Sequence, residues 1–255
     1  MSPVFDCTTE QGRSDGIPKA ARGVREGQIV VLPTDTVYGI GADAFTPSAV
    51  RALLAAKGRG PEMPPPVLVG SIAALDGLAI DVPDYARALI ERYWPGALTL
   101  VLMAQPSLRW DLGETHGTVA VRMPDDEVAL ALLHEVGPMA VSSANRTGHP
   151  SSRTVLDAAS QLGASVEFYL DGGPSPGGLA STIVDCTGPT PTILRTGAIA
   201  AEDILAVVAE HESAEHKSAE HESAENESAE HASAGPSQPL TDTPDPAPES
   251  SENHE

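Results

Sequence analysis

The stretch Pro33-Thr34-Asp35-Thr36-Val37-Tyr38-Gly39-Ile40-Gly41-Ala42-Asp43 comes directly after an apolar run, Ile29-Val30-Val31-Leu32. The run has the composition of a buried strand. Beyond it stand two hydroxyls, a carboxylate, a phenol and then two glycines, which let a backbone come close to a neighbour. Open α/β sheets place their ligands at such polar edges, directly beyond a core strand. A polar hairpin loop would give the same pattern on this segment alone. Three further segments carry similar polarity, and the reading rests on all four.

Over the whole chain, residues 1–200 are globular in composition and residues 201–255 shift to Glu, Ser, Ala, His and Pro. Two hundred residues can bury one substantial core. Of 36 acidic side chains, 21 fall in 1–200, and of 15 basic ones, 14 do; the net charge is −7 there and −14 beyond. Non-specific nucleic-acid binding needs a basic surface, and neither part supplies one. Cys7 and Cys186 are far apart and form no Cys-x-x-Cys pair, which fits a reduced, cytoplasmic setting. The first residues lack the basic and apolar regions of a secretory signal, and no window has the ~18 apolar residues of a membrane span.

The last segment repeats His211-Glu212-Ser213-Ala214-Glu215 in variants as far as Gly235. Five residues advance a helix by about 500°, so successive histidines would step round the axis by about 140° and share no face. The composition predicts a disordered acidic tail rather than a metal site.

Alternating periodicities predict strands at 27–31, 67–69, 98–103, 118–123, 139–141, 166–170, 182–185 and 192–195. Helices are predicted at 48–57, 83–93, 126–135, 153–162 and 201–209. Thr187-Gly188-Pro189-Thr190-Pro191 joins the last two strands as a hairpin link. Hairpins among crossovers predict a mixed, only partly parallel α/β sheet.

The second polar cluster is Lys57-Gly58-Arg59, where a helix runs out; cations there also suit the helix dipole. The third is Ser142-Ser143-Ala144-Asn145-Arg146-Thr147-Gly148, able to bond phosphate or ribose or to cap a turn. The fourth is Thr118-Val119-Ala120-Val121-Arg122, in which Thr118, Ala120 and Arg122 share one strand face. An arginine among Val and Ala needs an anionic partner, either a ligand carboxylate or an internal one such as Asp43 or Asp185.

Pro33-Thr34-Asp35-Thr36-Val37-Tyr38-Gly39, Lys57-x-Arg59, Ser143-x-Asn145, Ser181-Thr182-Ile183-Val184-Asp185 and Leu194-Arg195-x-Gly197 together resemble the YrdC-like family. Five ordered motifs at these spacings are specific where a lone Lys-x-Arg is not. The resemblance covers residues 15–205. It implies a twisted, mixed open sheet with helices around a concave ligand cavity, in a short, single-domain form. It further implies synthesis of L-threonylcarbamoyladenylate and pyrophosphate from L-threonine, bicarbonate and ATP with Mg²⁺, for tRNA modification. Downstream threonylcarbamoyl-transfer proteins would take the product, and tRNA would be involved indirectly.

By the same resemblance Thr36, Arg122 and Ser181 would hold threonine, with Arg122 clamping its carboxylate. Lys57, Arg59, Thr118, Ser143, Asn145, Ser151 and Arg195 would surround the nucleotide, with Lys57 and Arg59 as the catalytic pair. Nucleotidyl transfer needs alignment and charge neutralisation more than a protein base. In keeping with that, His116, His134 and His149 form no relay. Many relatives read Asn-Pro-Leu-x-Val-His after Lys-x-Arg, whereas here Met63 and Leu68 stand at the Asn and His positions and cannot supply those side-chain hydrogen bonds.

The expected organisation is an N-terminal extension over 1–14, the catalytic domain over 15–205 and the acidic tail over 206–255. Two other readings differ in class. A carbamoyl-adenylating enzyme of hydrogenase maturation would carry acylphosphatase and zinc-finger modules, and there is no Cys-x-x-Cys. A non-catalytic RNA-binding or ribosome-associated module sits poorly with a core charge of −7.

Overall fold

The computed structural model describes residues 2–214 and 216. Residues 217–255, on which most of the tail expectation falls, lie outside the described residues. Two units divide the chain, 1–212 and 213–255, and the elements below all belong to the first.

Strand β1 (Val4–Asp6) leads into helix α1 (Glu10–Arg25), whose N-cap Thr9 accepts a hydrogen bond from the Gly12 amide. Next come β2 (Val30–Leu32), β3 (Gly39–Asp43), α2 (Pro47–Lys57) and β4 (Val67–Leu68). Helix α2 starts with proline at its first position and stops at Gly58, whose φ of 68° is left-handed. A short β5 (Ala79–Ile80), α3 (Asp84–Tyr93), β6 (Leu98–Ala104) and β7 (Thr118–Arg122) follow. Then come α4 (Glu127–Val136), β8 (Met139–Ser143), α5 (Val155–Leu162) and β9 (Phe168–Asp171). The hairpin β10 (Thr182–Asp185) and β11 (Thr192–Arg195) precedes a helical segment beginning at 201.

These eleven strands form one sheet in the order β1-β9-β2-β3-β8-β4-β7-β6-β10-β11, with β5 pairing β6 off this path. Strand pairs β1/β9, β2/β9, β4/β7 and β6/β10 are parallel; the other pairs are antiparallel. This is the mixed, open α/β sheet that the alternation predicts. Two apolar clusters hold it. The larger one includes Tyr38, Leu53, Leu89, Leu100 and Val121, with Ile204 and Val208 from the last helical segment. The smaller one seats α1 and α4 on Val30, Leu32 and Leu170.

The N-terminal residues correct one expectation. They are no appendage: β1 pairs with β9 in register Val4↔Tyr169, and Cys7 is buried in the smaller cluster. Helix α1 buries Ile17, Ala20, Ala21 and Val24, an i, i+3, i+4, i+7 stripe. Gly16 and Gly23 are needed within it. A Cβ on Gly16 would lie 2.6 Å from Phe5 Cβ, and one on Gly23 would lie 2.3 Å from the Phe168 ring.

Deleting residues 2–9 therefore removes a paired strand, the Thr9 cap and the burial of Cys7 and Phe5. The expected cost is on the order of 3 kcal/mol of unfolding free energy. Denaturant unfolding of the truncated and full chains checks this, and equal midpoints would mean that the segment adds nothing to the stability of the fold.

Candidate active site

The stretch 33–38 forms the loop of the hairpin between β2 and β3. Both sequence readings of it hold, because this hairpin loop is also the polar edge of the site. The Thr34 hydroxyl donates to Val37 O at 2.6 Å and accepts from the amides of Thr36 and Val37 at 3.2 and 3.3 Å. Tyr38 is fully buried, and its phenol donates to Gly173 O at 2.6 Å and accepts from the Gly172 amide at 3.1 Å. Burial, with Asp171 beside it, pushes that phenol's pKa well above the usual tyrosine range. Gly39 and Gly41 do more packing than ligand approach. A Cβ at either would fall 2.7–2.8 Å from Val141 or Met139 of the neighbouring strand.

Beyond this loop lies a cleft of about 290 Å³. Its walls come from the ends of β4, β6, β7, β8, β10 and β11 and the exit of α2. Seven of the expected site residues line it: Thr36, Arg59, Arg122, Ser143, Ser151, Ser181 and Arg195. Met63, Pro64, Pro66, Leu68 and Val141 add an apolar wall, so Met63 and Leu68 do reach the site and make that edge non-polar.

Arg122 is 6% exposed and its donors are specifically directed. Nε donates to Gly96 O and Nη1 to Thr36 Oγ1, both at 2.9 Å, while Nη2 pairs with the Asp35 carboxylate. Three of five N–H groups are used, leaving one on each terminal nitrogen for a ligand. The internal anion is thus Asp35, not Asp43 or Asp185. Asp43 bonds the Phe45 amide and the Thr46 hydroxyl, and Asp185 bonds Thr187.

Arg195 donates to Ser181 O through Nε and Nη2, at 3.1 and 2.8 Å, and to Ser181 Oγ at 3.1 Å. Arg59 donates to Thr147 Oγ1 at 3.2 Å and Ser142 Oγ at 3.3 Å. Among the described residues, neither Arg59 nor Arg195 has a carboxylate within 4.0 Å. Burial lowers the pKa of all three guanidiniums; Arg59 lowers Arg195 further, and Arg195 lowers Arg122, which Asp35 offsets. Among the described residues, the cleft wall itself contains no Asp or Glu. An anionic ligand between them would relieve the repulsion of Arg195 by Arg59 and of Arg122 by Arg195.

Three of the expected residues are not on the cleft wall. Lys57 is 1% exposed, and its Nζ donates to the carbonyls of Ser143 and Asn145. It braces the loop after β8 from beneath, because an α2 side chain pointing at this loop meets backbone before it meets the cleft. Asn145 does not line the cleft either. Its Nδ2 donates to Arg146 O and His149 O at 2.9 and 2.7 Å, and its Oδ1 is buried without a partner. Thr118 shares a strand face with Arg122 but lies four residues away, about 13 Å along the strand. Its hydroxyl is spent on Thr115 O at 2.8 Å.

Thr34, Thr99 and Ser142 also line the cleft; the first and last stand in the polar clusters read from the sequence without a ligand role of their own, and Thr99 stands outside them. Thr99 had a visible signal, one hydroxyl inside the apolar run Leu98-Thr99-Leu100-Val101-Leu102.

Fold and site together define an α/β protein with an arginine-lined cleft at its strand ends. Residues 22–197 match the model of the Sua5/YciO/YrdC family, described as telomere recombination. The chain belongs to this family. A Mycobacterium tuberculosis H37Rv relative, provisionally named threonylcarbamoyl-AMP synthase, is 57% identical over 208 residues, covering 82% of this chain and 96% of its own. The Bacillus subtilis threonylcarbamoyl-AMP synthase is 41% identical, covering 80% of this chain and 60% of its own. The crystal structure of Pyrococcus abyssi Sua5 complexed with L-threonine superimposes with a TM-score of 0.77 at 36% identity, covering 81% of this chain and 61% of that one. The chain thus spans about three fifths of the length of these last two.

Burial, then Arg59, pulls the Lys57 pKa from 10.5 down to about 7. The unfolded chain therefore binds the extra proton between pH 7 and 10.5, and this group's contribution to stability rises with pH across that window. Relative to Lys57→Met, the wild type should gain stability from pH 7 to pH 9, by at most about 1.4 kcal/mol per pH unit. Denaturant unfolding at the two pH values checks this; parallel curves would mean that Lys57 stays charged in the fold.

Proposed function

We propose that this protein is a threonylcarbamoyl-AMP synthase, condensing L-threonine, bicarbonate and ATP to L-threonylcarbamoyladenylate and pyrophosphate for tRNA modification. The observation that carries the reading is the cleft with Arg59, Arg122 and Arg195 on its wall and, among the described residues, no Asp or Glu on that wall, in a chain of net charge −21. A relative 57% identical over nearly its whole length bears the same name, and a longer homologue has been crystallised with L-threonine.

Threonine's amine and bicarbonate give N-carboxythreonine with loss of water. Its new carboxylate attacks the α-phosphorus of ATP, forming the P–O bond as the bond to pyrophosphate breaks. Arg122 receives the threonine carboxylate on its two spare N–H groups, beside the hydroxyls of Thr36 and Ser181. Arg59 and Arg195 neutralise phosphate charge, and Ser143 and Ser151 supply hydroxyls to the nucleotide. Removing charge repulsion and fixing the line of attack are the main demands of such a transfer.

Among the described residues, no group of three His, Cys, Asp or Glu could hold a metal. In this proposal Mg²⁺ enters with the nucleotide, as Mg–ATP. No helix among the described residues is long and apolar enough to cross a membrane, and the proposed setting is the cytoplasm.

Pyrophosphate release should require ATP, threonine and bicarbonate together, with each omission reducing it to background. Turnover without threonine would remove the amino acid from the reaction. In the same assay Arg59→Ala should lose most of its activity while its unfolding midpoint stays near that of the wild type.

Arg122→Lys should raise the threonine KM roughly tenfold or more with the ATP KM little changed, since a point charge cannot replace a planar fork. Serine should be a poor substrate. Valine should fall by on the order of 10⁴ in kcat/KM if a polar group of the cleft bonds the threonine hydroxyl. A defect of Arg122→Lys confined to ATP would place the amino acid elsewhere in the cleft.

A further inference from the structure

Hydroxyls are ambiguous partners, able to donate one hydrogen and accept two. One of those facing the cleft is not ambiguous here, because its neighbours fix the direction. The Ser181 oxygen accepts from Arg195 Nη2 at 3.1 Å. Its second contact is Thr99 Oγ1 at 2.8 Å. Thr99 is 1% exposed, and among the described residues Ser181 Oγ is the only hydrogen-bond partner of its hydroxyl. A buried hydroxyl keeps its hydrogen bonded, so Thr99 donates and Ser181 accepts. Both acceptor positions of Ser181 are then filled, and its own hydrogen is left for the cleft.

The same count leaves Thr36 open. Thr34 donates to Val37 O and accepts from the amides of Thr36 and Val37, so its 3.0 Å contact with Thr36 does not set which way the Thr36 hydrogen points. Of the two hydroxyls, Ser181 is the one whose direction its neighbours set.

We infer that Thr99 is a positioning residue for amino-acid binding, fixing Ser181 as a hydrogen-bond donor to a carboxylate oxygen. The inference rests on the proposed threonine reading and assigns an orientation within it. Parallel pairing of β6 with β10 sets Thr99 opposite Ile183, two residues along from Ser181, so the contact is built into the sheet. Valine at position 99 keeps the branched shape and loses the donor. Ser181 is then free to turn its hydrogen inward, to no acceptor, or to present a lone pair to the carboxylate.

The test is calorimetric titration of the full-length protein with L-threonine in a double-mutant cycle, with thermal unfolding as the control for folding. Thr99→Val should weaken threonine binding roughly five- to tenfold, and Thr99→Ser, which keeps the hydroxyl, should stay within about twofold of the wild type. In a Ser181→Ala background Thr99→Val should change the affinity less than about twofold, since Thr99 acts only through Ser181. Three results would overturn the inference: unchanged binding by Thr99→Val, equal losses with and without the Ser181 hydroxyl, or a Thr99→Ser loss as large as that of valine. A wild type that binds no threonine would overturn the underlying functional reading, and is distinguishable because it precedes any variant.

Discussion

A guanidinium held out of water must be paired, and Arg122 imposes that requirement on the middle of the sheet. A buried cation left without its partner costs roughly 3–5 kcal/mol, more than any single surface contact in the molecule can offset. The pairing brings the 33–38 loop over the strand ends, because Asp35 and Thr36 are the groups that meet the guanidinium. Asp35 also accepts from the Asp125 amide at 3.0 Å, which ties in the connection from β7 to α4. Gly96 O completes the set from the segment before β6. Loop, strand ends and cleft wall are therefore fixed by one charge, and the ligand-facing hydroxyl of Thr36 is oriented by the same contact.

Position decides what the other charges do. The pairs Arg25–Glu135, Arg51–Asp111 and Arg87–Asp76 are all about half exposed or more, where an ion pair contributes ~0–1 kcal/mol. Arg59, half-buried, and Arg195, more exposed, lie on the cleft wall with no carboxylate within 4.0 Å among the described residues, where a field is less screened than on open surface. Local positive potential inside an acidic molecule serves selection. Anions are repelled by the general surface and stabilised at one place. The apolar wall of Met63, Pro64, Pro66 and Leu68 lowers the local polarizability next to these cations, which strengthens whatever charge pairing occurs there.

Much of this was legible in the sequence because polarity beyond a core strand is unusual and the strands themselves are strongly apolar. The segments after β2 and β8, the exit of α2 and the end of β7 could all be found that way. Helix α1 could not: Gly12, Gly16, Gly23 and Pro18 break the pattern, and their reason is close approach to β1 and Phe168, a tertiary fact. Side-chain direction was equally hidden. Lys57 and Arg59 are two residues apart in one motif, yet one is wholly buried against carbonyls and the other lines the cleft. Thr118 and Arg122 share a face, but a strand spreads one face over a distance larger than the site. Asn145 has the chemistry of a ligand contact and spends its donors on its own loop.

The direction of hydrogen bonds adds a chemical consequence that residue identity alone does not carry. In the proposed reaction the threonine amine must keep its lone pair free for the bicarbonate carbon. A hydroxyl that donated to that nitrogen would occupy the lone pair and suppress attack. Ser181 is fixed as a donor, because Thr99 and Arg195 fill its two acceptor positions. Its hydrogen suits a carboxylate oxygen and would block the amine, so the buried threonine behind it sets Ser181 on the carboxylate side of the amino acid and leaves the nucleophilic electrons free.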